Sequence, residues 1–220
     1  TLSNQKALRM DVIGEFFKSA LFSIIAIFGV NIGTDEPPYR VIQAIDPQTE
    51  VRHYEPRLAA EITLTITDGK KPERIAFGKL ASYIFGDNAL KTKMDMTAPV
   101  EKSTPDQKTK IAMTAPVDMK KDAQTLTMRF FMPAQYTLDN LPQPTDPDIK
   151  IIVIPAQTLA VRQYSGSTDE GKVASEQKQL ATTLASTSWK VTDSFRSYFY
   201  NPPWTLPPLR RNEILVPVAQ

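Results

Sequence analysis

Ala60-Glu61-Ile62-Thr63-Leu64-Thr65-Ile66-Thr67 alternates apolar and polar residues, and soon afterwards Pro72-Glu73 opens a stretch whose apolar residues fall at Ala76, Phe77, Leu80, Tyr83 and Ile84. A period of two describes a strand with one face covered and one wet. The second spacing puts one apolar stripe along a helix. Proline suits the first helical position, where its missing N–H costs nothing, and an acid in the first turn complements the helix dipole. Gly86-Asp87-Asn88 then ends the helix. These residues therefore predict a strand followed by a helix that covers it.

Upstream, Tyr39 to Ile45 and Glu50 to Tyr54 read as short strands separated by the turn Asp46-Pro47-Gln48. Downstream the same order recurs. Ile149 to Ile154 is a strand whose apolar run, interrupted only by Lys150, predicts burial on both faces. Thr158 to Tyr164 is a second strand, and Ser167 with Glu170 forms a capping-box pattern before a helix carrying Val173, Leu180 and Leu184. The fold class is thus α+β. Duplicated strand–strand–helix–strand halves build a curved, mainly antiparallel sheet, a distorted barrel, flanked by two helices.

A tighter repeat joins the halves. Met94-Asp95-Met96-Thr97-Ala98-Pro99-Val100 returns as Ile111-Ala112-Met113-Thr114-Ala115-Pro116-Val117, and Glu101 to Lys110 reads as the long loop of a hairpin. Six of the seven methionines lie between Met94 and Met132. Such residues fill irregular core gaps, and they also make an adaptable wall for a flat apolar ligand.

Composition narrows the functions. With a net charge of +2 and no basic stripe interleaved with aromatics, nucleic acid is not an expected partner. No cysteine is present, so disulfides, thiolate metal sites and cysteine nucleophiles are excluded. His53 is the one histidine, which rules out a two-histidine zinc site. No nucleophile–base constellation or glycine-rich phosphate loop can be assembled, so the chain is not expected to be an enzyme and no catalytic residue is assigned.

The first 33 residues stand apart, as an N-terminal apolar helix or anchor ahead of a domain over residues 34–220. Ala20 to Val30 is short for a bilayer, which needs ~20 residues, but extension back to Val12 with Lys18 snorkelling makes it long enough. A signal-peptide core, a membrane anchor and a helix packed on protein are the three readings. Residues 12–32 are therefore expected to engage a membrane or a membrane-protein partner. Lys6, Arg9 and Lys18 precede the apolar core, which puts the domain on the non-cytoplasmic side, in a periplasm or organelle lumen. Gly33 to Pro38 marks the boundary.

Four further stretches carry a resemblance. Glu50-Val51-Arg52-His53-Tyr54-Glu55-Pro56, Tyr83-Ile84-Phe85-Gly86-Asp87-Asn88, the doubled Met-Thr-Ala-Pro-Val, and Tyr200-Asn201-Pro202-Pro203-Trp204-Thr205 with Arg210-Arg211-Asn212-Glu213 occur in the order seen in the SOUL haem-binding family. The chain resembles that family from Tyr39 to Val218. The resemblance implies non-covalent binding of haem or a related tetrapyrrole, on a fold similar to effector-binding domains of bacterial transcription activators. It implies no established reaction.

Haem iron takes an axial donor from histidine, thiolate, methionine or tyrosinate. His53 matches the histidine that some members carry and is the first candidate for the iron. Alternation puts it on the face of Val51, opposite Arg52 and Tyr54. Met94 and Met96 are alternative donors. The resemblance places the slot along the first helix, at Phe77, Leu80, Tyr83 and Ile84, with Arg74 and Lys79 as cations for the propionates. The same stripe also suits packing on the sheet as core. The competing function is a non-catalytic interaction or structural subunit of a membrane protein complex with a vestigial pocket.

Overall fold

The computed structural model describes residues 35–66, 71–95, 97–103, 125–201 and 204–220. The N-terminal apolar helix, Met96 and the second Met-Thr-Ala-Pro-Val copy lie outside the described residues. The elements, in order, are β1 (Tyr39–Asp46), β2 (Thr49–Tyr54), β3 (Arg57–Thr65), α1 (Pro72–Ile84), β4 (Val100–Ser103) and β5 (Thr125–Phe131). They continue as β6 (Ile149–Ile154), β7 (Gln157–Tyr164), α2 (Glu170–Ala185), β8 (Lys190–Val191), β9 (Arg196–Phe199), a 3-10 turn (Pro207–Leu209) and β10 (Asn212–Ala219).

All strand pairs are antiparallel, in the order β1-β2-β7-β10-β9-β4-β5-β3-β6, with β8 added on β10. From β2 to β6 this order is unchanged when β2, β3, β4 and β5 trade places with β6, β7, β9 and β10. Each helix follows the second strand of its half.

The sheet curls into a half-barrel. Tyr54, Ala59, Phe131, Leu159, Tyr198 and Leu215 come from six different strands yet share one apolar cluster, which a flat sheet would not allow. Arg57 on β3 likewise reaches Tyr198 on β9 and Gln157 on β7. The outer face is covered twice. Under α1 lie Ala60, Ile62, Leu126, Met128 and Phe130 with Leu80, Tyr83 and Ile84 of the helix. Under α2 lie Val51, Ala160, Ile214 and Val216 with Leu180 and Leu184. Each fully buried Leu or Ile contributes roughly 1.5–3 kcal/mol.

Helix α1 begins at Pro72 as the sequence predicts, and it ends where Gly86 takes a φ of +113°, a conformation that only glycine adopts without strain. Two expectations need correction. The cap of α2 is Asp169, whose carboxylate accepts from the Lys172 N–H at 2.9 Å; Ser167 bonds Asp169 instead. An aspartate nearer the first helical turn reaches its free N–H groups more directly than Ser167. The expected two-sided burial of β6 also fails: among the described residues β6 pairs only with β3 at the end of the sheet, and Lys150 and Val153 are exposed.

Candidate functional site

Position 53 follows from strand alternation. Thr49, Val51 and His53 point to the α2 side of β2, and Glu50, Arg52 and Tyr54 point to the concave side. His53 is partly exposed. Its Nδ1 lies 3.5 Å from the Thr158 hydroxyl and its Nε2 3.7 Å from Glu55, so neither nitrogen is tied into a short hydrogen bond.

The residues expected along α1 divide differently. Leu80, Tyr83 and Ile84 are at most 1% exposed, and Met94 packs with them in the same core cluster. The Tyr83 hydroxyl donates to the Pro142 carbonyl at 2.7 Å, and burial pushes it up to about 12. Phe77 is 41% exposed, its ring edge-on to Phe130. Arg74 is exposed, while Lys79 is held by Asp146 at 2.8 Å and Asp148 at 2.6 Å. The structure thus gathers Leu80, Tyr83, Ile84 and Met94 between helix and sheet, whereas His53 makes its contacts on the other helix's side of β2.

The concave side carries two knots of charged side chains around the buried carboxylates Glu213 and Glu101. Glu213 of β10 is fully buried. It accepts from Arg52 at 3.0 Å, Arg211 at 2.9 Å and the Tyr200 hydroxyl at 2.7 Å. Arg211 stacks on Tyr200 at 3.8 Å and pairs with Glu36 at 3.0 Å. Burial alone would lower the Arg52 pKa, but Glu213, Tyr54 and Glu50 together outweigh it and the net shift is upward. Burial, with Glu213 beside it, holds Tyr200 well above the usual phenol range. Two of the sequence stretches therefore meet in one knot, one through Arg52 and Tyr54, the other through Tyr200, Arg211 and Glu213. A second knot joins Arg129 of β5 to Glu61 at 2.6 Å and to Glu101.

Beside these knots opens a cleft of about 570 Å³. Residues 35–38, Pro56 to Leu58, Thr97, Phe131 to Ala134, Tyr136 to Leu138 and Val153 line it. Its walls are mostly apolar, with Asp35 and Glu36 among the lining residues and Arg57 as the cation. Arg57 and Tyr136 are cleft residues that strand and helix periodicity did not single out, whereas Met132 belongs to the methionine group read as a wall for a flat ligand. The one usable signal was alternation along β3, which puts Arg57 on the face of Ala59. Among the described residues no group of three or more His, Asp and Glu side chains gathers to hold a metal ion, and no helix is long and apolar enough to cross a membrane.

The sequence profile described as SOUL heme-binding protein matches residues 34–217. "Heme-binding protein 2" of Mus musculus is 26% identical over 162 residues, spanning 70% of this chain and 72% of that protein. Its Homo sapiens counterpart is 28% identical over 151 residues, 67% of each chain. In three dimensions the fold is similar to the EcmrR C-terminal domain, with a TM-score of 0.57 and 14% identity over 79% of this chain and 98% of that one. At that identity the likeness concerns the fold alone.

Proposed function

We propose a function from one premise: the chain belongs to the SOUL heme-binding protein family. On that premise it binds haem or a related tetrapyrrole without covalent attachment and without a reaction of its own. The match over residues 34–217 carries this reading. The paired strand order of the two halves supports reading them as a duplication.

Haem presents a flat apolar ring, two carboxylates and an iron atom. His53 is the proposed axial donor, since both its nitrogens are free of short hydrogen bonds. The α1 stripe fits the ring poorly, because Leu80, Tyr83 and Ile84 are used up in the core and Lys79 is neutralised by two aspartates. Phe77 and Arg74 remain open on that helix. The cleft of about 570 Å³ falls within the ~300–1,000 Å³ usual for small-molecule sites.

A second reading, an interaction subunit, draws on Trp204, Leu206 and Leu209, which are exposed together just before β10. Residues 12–32 are the proposed attachment to a membrane or membrane protein, with the domain on the non-cytoplasmic side; flotation with vesicles, with and without those residues, tests this. Haemin titration followed at the Soret band tests the main reading. A saturable band that collapses in His53→Ala supports binding with His53 as ligand. A band indifferent to the change keeps binding and removes the ligand. No saturable band removes the haem reading and leaves the interaction subunit.

A further inference from the structure

The cleft beside the concave face contains one feature that its apolar walls do not explain. Arginines drawn out of water, even in part, tend to be paired with carboxylates, and those on this face are buried or half-buried. The other concave-side arginines obey this. Arg52 meets Glu50 and Glu213, Arg129 meets Glu61 and Glu101, Arg196 meets Asp193, and Arg211 meets Glu36 and Glu213.

Arg57 does not. Its guanidinium donates to neutral oxygens at long range: the Tyr198 hydroxyl at 3.2 Å, the Gln157 amide oxygen at 3.4 Å and the Glu55 carbonyl at 3.5 Å. Its Nε is buried with no hydrogen-bond partner among the described residues. Among the described residues no carboxylate pairs with it. The two acids that line the same cleft are Asp35 and Glu36, and Glu36 is already bidentate on Arg211. The charge is instead held in place by rings, with the guanidinium carbon 4.8 Å from the Tyr54 centroid and 5.1 Å from that of Phe131. Arg196 donates to the same Gln157 oxygen at 3.3 Å, so a second cation lies close by.

An arginine fixed between two rings, short of one anion, in the wall of an apolar cleft has the chemistry of a carboxylate receptor. We propose that this cleft binds a flat or elongated apolar molecule bearing a carboxylate, with Arg57 as the counter-charge and Pro37, Pro38, Phe131, Met132, Tyr136 and Leu138 holding the apolar body. The site has neither His53 nor the α1 stripe among its lining residues. It deepens the tetrapyrrole reading by giving a propionate its receptor, and it rests on that reading only for the identity of the ring.

The test uses the full chain and two fluorescent probes: metal-free protoporphyrin IX, a ring with two carboxylates, and cis-parinaric acid, an apolar chain with one. Both bind the unaltered protein. Arg57→Met weakens both by at least ~10-fold, the loss expected for a charge-assisted hydrogen bond, and Arg57→Lys recovers part of the affinity. Ala134→Trp, at an exposed position on the cleft wall, blocks both probes with Arg57 intact. If Arg57→Met fails to fold, Arg57→Lys and Ala134→Trp decide alone. Parinaric acid bound through Arg57 with the porphyrin refused keeps the cleft and removes the tetrapyrrole reading. Porphyrin bound equally by every variant keeps that reading and overturns the cleft. Neither probe binding overturns both.

Discussion

Replacing Glu213 removes the point at which the sequence stretches around residues 50–56 and 200–213 meet. Its carboxylate takes hydrogen bonds from Arg52, Arg211 and Tyr200 in a fully buried setting. Three bonds to a charged group at ~1.5–3 kcal/mol each give an upper bound of about 4.5–9 kcal/mol. The loss is smaller than that, because Arg52 keeps Glu50 at 2.8 Å and Arg211 keeps Glu36 at 3.0 Å. Breaking a buried pair on one side costs about 3–5 kcal/mol, which is the expected effect of Glu213→Ala. In a domain of this size each kcal/mol moves the melting temperature by about 2–4 °C, so a fall of about 6–20 °C follows. Glu213→Gln keeps the shape and an acceptor and falls by roughly half as much, a scaling from neutral against charged hydrogen bonds. Urea unfolding followed by tryptophan fluorescence measures the midpoint and slope together. Tyr200→Phe, made alone and with Glu213→Gln, gives the coupling between the two groups. A midpoint shift worth less than ~1 kcal/mol for Glu213→Ala, at unchanged slope, would refute the assignment of this knot to fold stability.

Leu80→Ala, at a position with no exposed surface, should cost about 2–5 kcal/mol by thermal unfolding, and Phe77→Ala, still wet on one side, well under half as much. Equal costs would mean that α1 does not pack as described. Glu176 is nearly buried and takes Arg162 at 2.9 Å and Lys172 at 2.7 Å; burial raises its pKa, but these cations outweigh it and the net shift is downward. The unfolded chain therefore binds that proton first. The stabilisation is present above the unfolded carboxylate value of ~4.3 and fades as pH falls from ~5 toward ~3, so Glu176→Gln should flatten that part of a stability–pH curve. Asp169→Ala removes the α2 cap and should cost ~1 kcal/mol, with the loss of amide-exchange protection confined to the first turn of that helix.

Much of the fold was legible because burial on one side leaves a period in the chain. The alternation of Ala60 to Thr67 put Ala60, Ile62 and Leu64 under α1, and Pro72 with Gly86 bounded that helix. The failures share one cause. The apolar run Ile151–Ile154 reads the same in a central strand and at a sheet edge, and only the neighbour decides. The α1 stripe was likewise readable as a stripe, but whether sheet or ligand covers it depends on what the chain folds against.

The candidate site was less legible, for a reason of distance. Arg52 and Glu213 are 161 positions apart, and no local spacing announces their bond. Composition and ordered motifs were enough to establish the α+β class, the family, and a chain without cysteine chemistry or a paired-histidine metal site. Tertiary structure alone decided that Tyr83 is core, that the His53 face of β2 is the one toward α2, and that Arg57 lines a cleft without pairing to any described carboxylate. Periodicity records whether an element has a dry side. What lies across that side, and whether a charge there finds its partner, is set by contacts between residues far apart in the chain.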